Sequence, residues 1–156
     1  MFDAELGSLY QQVIMDHAKE RHGSGLREGA AASSHQINPT CGDEITLCLH
    51  FADRESAGAG AIVQSVSWDG RGCAISQASA SMLHDLVDCL SLAQLHQRVD
   101  AFREVMHSEG TLAGDPEVLG DAVALAGASR YVSRIKCAML AWVALENALA
   151  SIEHDA

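Results

Sequence analysis

The amino-acid sequence predicts an α+β fold, a small antiparallel β-sheet packed against several helices. Three observations carry the prediction: apolar residues at helical spacing at both ends of the chain, strict alternation in two consecutive stretches between Glu44 and Trp68, and turn-forming clusters that separate these segments. With 156 residues, 48% of them apolar and 20% charged, residues 1–156 are expected to form one domain around a single core.

Glu5 to Glu20 reads as the first helix, because Leu6, Leu9, Tyr10, Val13, Ile14 and His17 make one stripe opposite Gln11, Gln12, Asp16 and Lys19. Gly23-Ser24-Gly25 stops it, and the small polar run from Gly23 to Gln36 is expected to be a long, mobile loop. Asn38-Pro39-Thr40-Cys41-Gly42-Asp43 has the composition of a turn. Ile45, Leu47, Leu49 and Phe51 then alternate with Glu44, Thr46, Cys48 and His50, the period of a half-buried strand. Asp53 to Gly60 is expected to be a hairpin loop. It leads to a second strand, Ile62 to Trp68, with Ile62, Gln64, Val66 and Trp68 on one face. A second turn cluster follows, Asp69-Gly70-Arg71-Gly72-Cys73. Helical spacing then runs from Ile75 to Leu90, and again from Leu92 to His107 until a break near Gly110. Pro116 opens a short helix that Gly127-Ala128-Ser129 ends, and the last helix covers about Ser133 to Leu149. Its apolar face is Ile135, Met139, Trp142, Leu145 and Leu149.

Ten basic residues stand against twenty-one acidic ones, a net charge of −11, which opposes binding to nucleic acid or to anionic membrane. No run of about 18 apolar residues suggests a membrane span. The opening Met1-Phe2-Asp3-Ala4-Glu5 has no basic region or apolar run of a secretory signal, so a reducing cytoplasm is the expected setting. There the five cysteines, an odd and widely spaced set, are not expected to build a disulfide framework.

Three of them fall at element boundaries. Cys41 lies in the turn before the first strand, Cys73 between the second strand and its helix, and Cys137 in the first turns of the last helix. The positive end of a helix dipole favours a thiolate, and Asp43 follows Cys41 across Gly42. Three thiolates and one carboxylate satisfy four-coordinate zinc, and soft sulfur also suits iron–sulfur clusters. The competing reading makes these cysteines small buried hydrophobes, and the intervals of 32 and 64 residues match no zinc-finger spacing. Cys48 within a strand and Cys89 within a helix are expected to belong to the packing. None of the histidines, including His17, His50, His84, His96 and His107, is expected to bind metal.

Four strings add a family resemblance. Leu9-Tyr10-Gln11-Gln12-Val13-Ile14-Met15-Asp16-His17, Asn38-Pro39-Thr40-Cys41-Gly42-Asp43, Gly72-Cys73-Ala74-Ile75-Ser76-Gln77-Ala78 and Arg134-Ile135-Lys136-Cys137-Ala138-Met139 resemble, in order, motifs of the U-type iron–sulfur scaffold family. Lys136 stands where the IscU-like branch has His, and the stretch between Cys73 and Cys137 is longer, as in the SufU branch. The resemblance implies a SufU/IscU-like fold and a zinc-dependent sulfurtransferase that accepts persulfide sulfur from a SufS-like pyridoxal-phosphate cysteine desulfurase. The sulfur then passes to downstream iron–sulfur assembly proteins. Cys41 would be the acceptor, zinc would sit on Cys41, Asp43, Cys73 and Cys137, and Arg134 would be the basic residue beside it. It further implies that the partner lends a replacement ligand, a histidine, while Cys41 swings on Gly42. The alternative within the family is a scaffold on which an Fe–S cluster is assembled and transferred.

Overall fold

A computed structural model of the chain describes residues 4–39, 42–52 and 61–155. Helix α1 (Ala4–Glu20) precedes three strands, β1 (Ala32–Asn38), β2 (Asp43–Phe51) and β3 (Ile62–Arg71). Then come α2 (Ala74–Leu86), the two-residue strand β4 (Leu90–Ser91), α3 (Leu92–Met106), α4 (Pro116–Leu119), a 3₁₀ segment (Gly120–Arg130) and α5 (Val132–Asp155). The sheet is antiparallel throughout, in the order β1-β2-β3-β4. This is the α+β architecture that the periodicities predict.

Five sequence expectations need correction. The first concerns the loop expected from Gly23 to Gln36, whose second half is strand β1, paired from Ala32↔Leu49 to Asn38↔Asp43. Its residues are polar because it is an edge strand, ordered by backbone pairing to β2 and not by an apolar face. The first half is docked too, since the Gly25 amide donates to Trp68 O (2.7 Å) and the Trp68 amide to Gly23 O (3.0 Å). Second, Asp69–Arg71 continues β3 as far as the Glu44↔Arg71 pair and is not a turn. Third, the face of β3 changes parity: a bulge between His50 and Phe51 leaves Gln64 out of the pairing, so Val63 joins Val66 and Trp68 in the core and Ile62 is exposed. Fourth, the helix from Ile75 stops at Leu86, and Cys89, with φ +55°, is exposed in the turn before β4 instead of packed inside a helix. The stop is sharp because Ser91 and Gln94 form a capping box that starts α3. Fifth, Gly127-Ala128-Ser129 does not end the short helix, since tight 3₁₀ turns carry the chain on to Arg130. The hairpin loop Asp53–Gly60 lies outside the described residues.

One face of the sheet, built from Ile45, Leu47, Leu49, Val63, Val66 and Trp68, is buried under the helices. Helix α5 packs on β1 and β2, and α2 packs against both α1 and α5. The mean hydropathy of 1.4 across Val132–Ile152 reflects that central position, since Ala138, Trp142, Leu145 and Leu149 are all buried. Trp142 stacks on Phe102 of α3, ring centroids 4.1 Å apart, and Arg103 grips Glu146 through both terminal guanidinium nitrogens.

Small residues let α2 approach α5 closely, and one of them supplies the polar link. The fully buried Ser79 hydroxyl donates to Ala138 O (2.6 Å) and accepts the Trp142 indole N–H (3.0 Å). Removing it leaves the buried Trp142 indole N–H without its acceptor at the helix contact. Ser79→Ala is expected to cost about 1–3 kcal/mol of unfolding free energy in urea titration. Ser79→Ala combined with Trp142→Phe should fall short of additivity, because the pair shares one hydrogen bond.

Candidate metal centre

The register of β2 on β3 pairs Glu44 with Arg71, so Asp43 and Gly72 emerge together at one end of the hairpin. The chain turns there into α2, with Cys73 as the residue before the first helical turn, in extended conformation (φ −72°, ψ 170°). The Cys73 amide donates to Asp43 Oδ1 (3.1 Å), and Cys73 Sγ lies 3.5 Å from Asp43 Oδ2. Ser76, one turn into α2, donates to Cys73 O (3.0 Å) and puts its hydroxyl 3.9 Å from the same sulfur. Helix α5 crosses this end of the hairpin and brings Cys137. One donor atom each from Asp43, Cys73 and Cys137 lies within 4.8 Å of the other two.

Asp43 and Cys137 are buried, 2% and 7% exposed, whereas Cys73 is exposed, so the cluster opens to solvent on the side of Cys73. Two sulfurs and a carboxylate oxygen at this separation suit a tetrahedral ion, whose ligand atoms stand about 3.3–3.8 Å apart for bonds of about 2.0–2.3 Å. The donor set therefore fits zinc. Gly72 is part of the fit: a Cβ there would sit 2.4 Å from Asp43 Oδ1 and 2.6 Å from Ser76 Oγ. Neither Gly72 nor Ser76 stands out by sequence reasoning. The only signal for either is its place beside Cys73, Gly72 directly before it and Ser76 three residues on.

The other predicted site residues fall as follows. Cys41 lies outside the described residues; Gly42, the next in the chain, holds φ +75° and donates its amide to Asn38 O (2.8 Å). Arg134 stands one helical turn before Cys137, exposed, with its guanidinium 4.6 Å from the centroid of the Tyr131 ring. Lys136 lines a groove of about 420 Å³ with Asn38, Pro39, Ile135, Met139 and Leu140. Cys48 is in the packing as expected, and burial pushes its thiol pKa up, with a smaller opposing effect of the Ser67 hydroxyl. Exposed Cys89 is also harder to ionise, because the Asp88 carboxylate beside it favours the neutral thiol. Burial lowers the His50 pKa and Arg27 lowers it further, and Nε2 lies 2.8 Å from Ser67 Oγ.

Residues 9–138 match the family model of the NifU-like N-terminal domain. The chain is 38% identical over 152 residues to the zinc-dependent sulfurtransferase SufU of Bacillus subtilis, covering 97% of each. It is 36% identical to the iron–sulfur cluster assembly scaffold protein IscU of Streptococcus pyogenes, over 94% of this chain and 86% of that one. Among solved structures it resembles a protein of Fervidobacterium islandicum assigned as an iron–sulfur cluster assembly scaffold for the SUF system. The TM-score is 0.72 at 30% identity, covering 91% of this chain and 97% of the other.

Gly72→Ala tests the packing of the centre without touching a donor atom. The added methyl must displace the Asp43 carboxylate, so bound zinc, measured by metal analysis after dialysis against a competing chelator, should fall at least about tenfold in affinity. Unchanged zinc retention would show that Asp43 is not held as described.

Proposed function

The chain belongs to the NifU-like N-terminal domain family as a SufU-type member, and from that premise we propose that it is a zinc-dependent sulfurtransferase of iron–sulfur cluster assembly. In this reading Cys41 accepts persulfide sulfur from a pyridoxal-phosphate cysteine desulfurase and passes it on to downstream assembly proteins. The observation that carries it is the convergence of Asp43, Cys73 and Cys137, open on one side, in a chain similar to a protein named for that activity.

Cys41, Asp43, Cys73 and Cys137 would hold the zinc, which when bound keeps thiol ligands deprotonated at neutral pH. The Cys41 thiolate attacks the outer sulfur of the donor persulfide. A bond forms from Cys41 Sγ to that sulfur as the donor's S–S bond breaks, and the donor cysteine leaves as a thiolate, so the exchange needs no outside oxidant or reductant. Gly42, in a conformation that only glycine takes without strain, gives the chain next to Cys41 the freedom to move. The Asp43 carboxylate and the Cys73 amide hold each other in place through their hydrogen bond. Three thiolates and a carboxylate exceed Zn²⁺ by two charges, and Arg134 and Lys136, around Cys137, offset that excess.

The second reading is a scaffold that builds an Fe–S cluster on the same ligands, and the IscU relative supports it. Lys136 favours sulfur transfer, since the scaffold branch places an imidazole there. A mass gain of one sulfur on the Cys41 peptide, after incubation with desulfurase and cysteine, is the expected result. Its absence, or a Cys41→Ala variant that still accelerates the desulfurase without added thiol, would overturn the proposal. Cys73→Ser and Cys137→Ser should each lose zinc and lower Tm by more than about 10 °C, because multi-thiolate zinc contributes on the order of 10 kcal/mol to folding.

A further inference from the structure

A second group of ligand-type side chains lies at the opposite end of α2. His17 in the last turn of α1, His22 just after that helix, and Asp85 in the last turn of α2 each offer a donor atom within 4.8 Å of the other two. His22 Nδ1 is 2.6 Å from Asp85 Oδ2, and its Nε2 is 3.3 Å from Glu20 Oε1. His17 is buried, with Nε2 2.9 Å from Asp121 Oδ2 and Nδ1 2.7 Å from Ser81 Oγ. The two imidazoles meet edge to face, centroids 5.0 Å apart. Ser81 Oγ also accepts the His22 amide (2.9 Å), which fixes the turn carrying that ring.

We propose that His17, His22 and Asp85 form a second site for a divalent cation of the zinc class, separate from the cysteine centre. Two imidazole nitrogens and one carboxylate oxygen are a borderline-hard donor set that suits zinc rather than calcium or an Fe–S cluster. Asp121 on Nε2 of His17 is the outer carboxylate that orients a ligating histidine, and it leaves Nδ1 to coordinate in exchange for the Ser81 hydroxyl. At His22 the cation replaces the proton shared with Asp85 on Nδ1, Glu20 stays on Nε2 as that ring's outer carboxylate, and a water fills the remaining position. Asp85, Asp121 and Glu20 put three carboxylates around two imidazoles, so a dication lowers the local excess of negative charge in a chain of net charge −11. The side chains already stand together, which keeps the ordering cost of binding small. His22 and Asp85 are 36% and 45% exposed, so an ion enters from solvent without opening the core. Asp85 lies twelve positions after Cys73, about 18 Å along the helix axis, so neither site borrows ligands from the other.

The test titrates the full chain, zinc-loaded at its cysteines, with Zn²⁺ by calorimetry and with Co²⁺ by absorption. A second equivalent is expected, and its Co²⁺ form should show visible d–d bands without thiolate-to-cobalt charge transfer. His22→Asn and Asp85→Asn, both at partly exposed positions, should each weaken that equivalent at least about tenfold while leaving the first in place. Cys73→Ser should do the reverse, so failure of the cysteine centre and failure of this site are read separately. No second equivalent up to millimolar metal, or one whose affinity is the same in both variants, would overturn the proposal.

Discussion

The hydrogen bond from the Cys73 amide to the Asp43 carboxylate is the contact on which the centre depends. It joins the first residue of β2 to the residue that starts α2, thirty positions later in the chain. One carboxylate oxygen is occupied by the amide while the other faces the Cys73 sulfur. A charge-assisted bond of this kind contributes roughly 1.5–3 kcal/mol, and it sits where the dipole of α2 favours negative charge. Its geometry follows from the β2–β3 register and from the missing side chain at Gly72. A slip of one residue in that register would turn Asp43 to the opposite face of the sheet.

The described cysteines differ in what surrounds them. Cys48 is enclosed by the sheet and Cys89 stands beside Asp88, and both environments favour the neutral thiol. Cys73 stands instead before the first turn of α2, its sulfur 3.5 Å from Asp43 Oδ2 and close to Cys137. Burial alone would not have made this division, because Cys89 is exposed and Cys137 is buried. Neighbours decide it: Cys73 and Cys137 meet the Asp43 carboxylate, and among the described residues Cys48 and Cys89 stand in no such group.

Much of this was legible in the sequence where a periodic apolar pattern determines the structure. Helices α1 and α3 bury one face each, and their residue spacing shows it, whereas α5 is enclosed on all sides over Cys137–Trp142 and β2 buries both faces at Cys48–His50. Strand β1 was not legible, since Ala32-Ser33-Ser34-His35-Gln36 owes its order to backbone pairing with a neighbour distant in sequence. The parity of β3 was hidden by the bulge opposite Gln64, and the end of α2 by a cap that lies beyond it at Ser91. At the centre, Asp43, Cys73 and Cys137 were legible as motifs, but spacing alone says nothing of their meeting. The His17–His22–Asp85 group was not legible at all. His17 fits the apolar stripe of α1, so pattern reading assigns it to the core, and only the docking of α1 on α2 shows its polar partners.

Helix α2 links these observations. Cys73 caps its start and Ser76 stands in its first turn, its middle fixes α5 through Ser79, and its last turns present Ser81 and Asp85 to the end of α1. Between them Ala78 and Ala80 are buried beside the larger Met82 and Leu83, so the helix is packed along most of its length. A close-packed helix of this kind holds the ligands at both ends to fixed positions, which is what a preformed site requires. Gly42, adjacent to the proposed sulfur acceptor, belongs to the connection between β1 and β2 and not to α2. Asp43, Cys73 and Cys137 stand at a strand start and on two helices, a placement that holds a set of donor atoms together before any ion arrives.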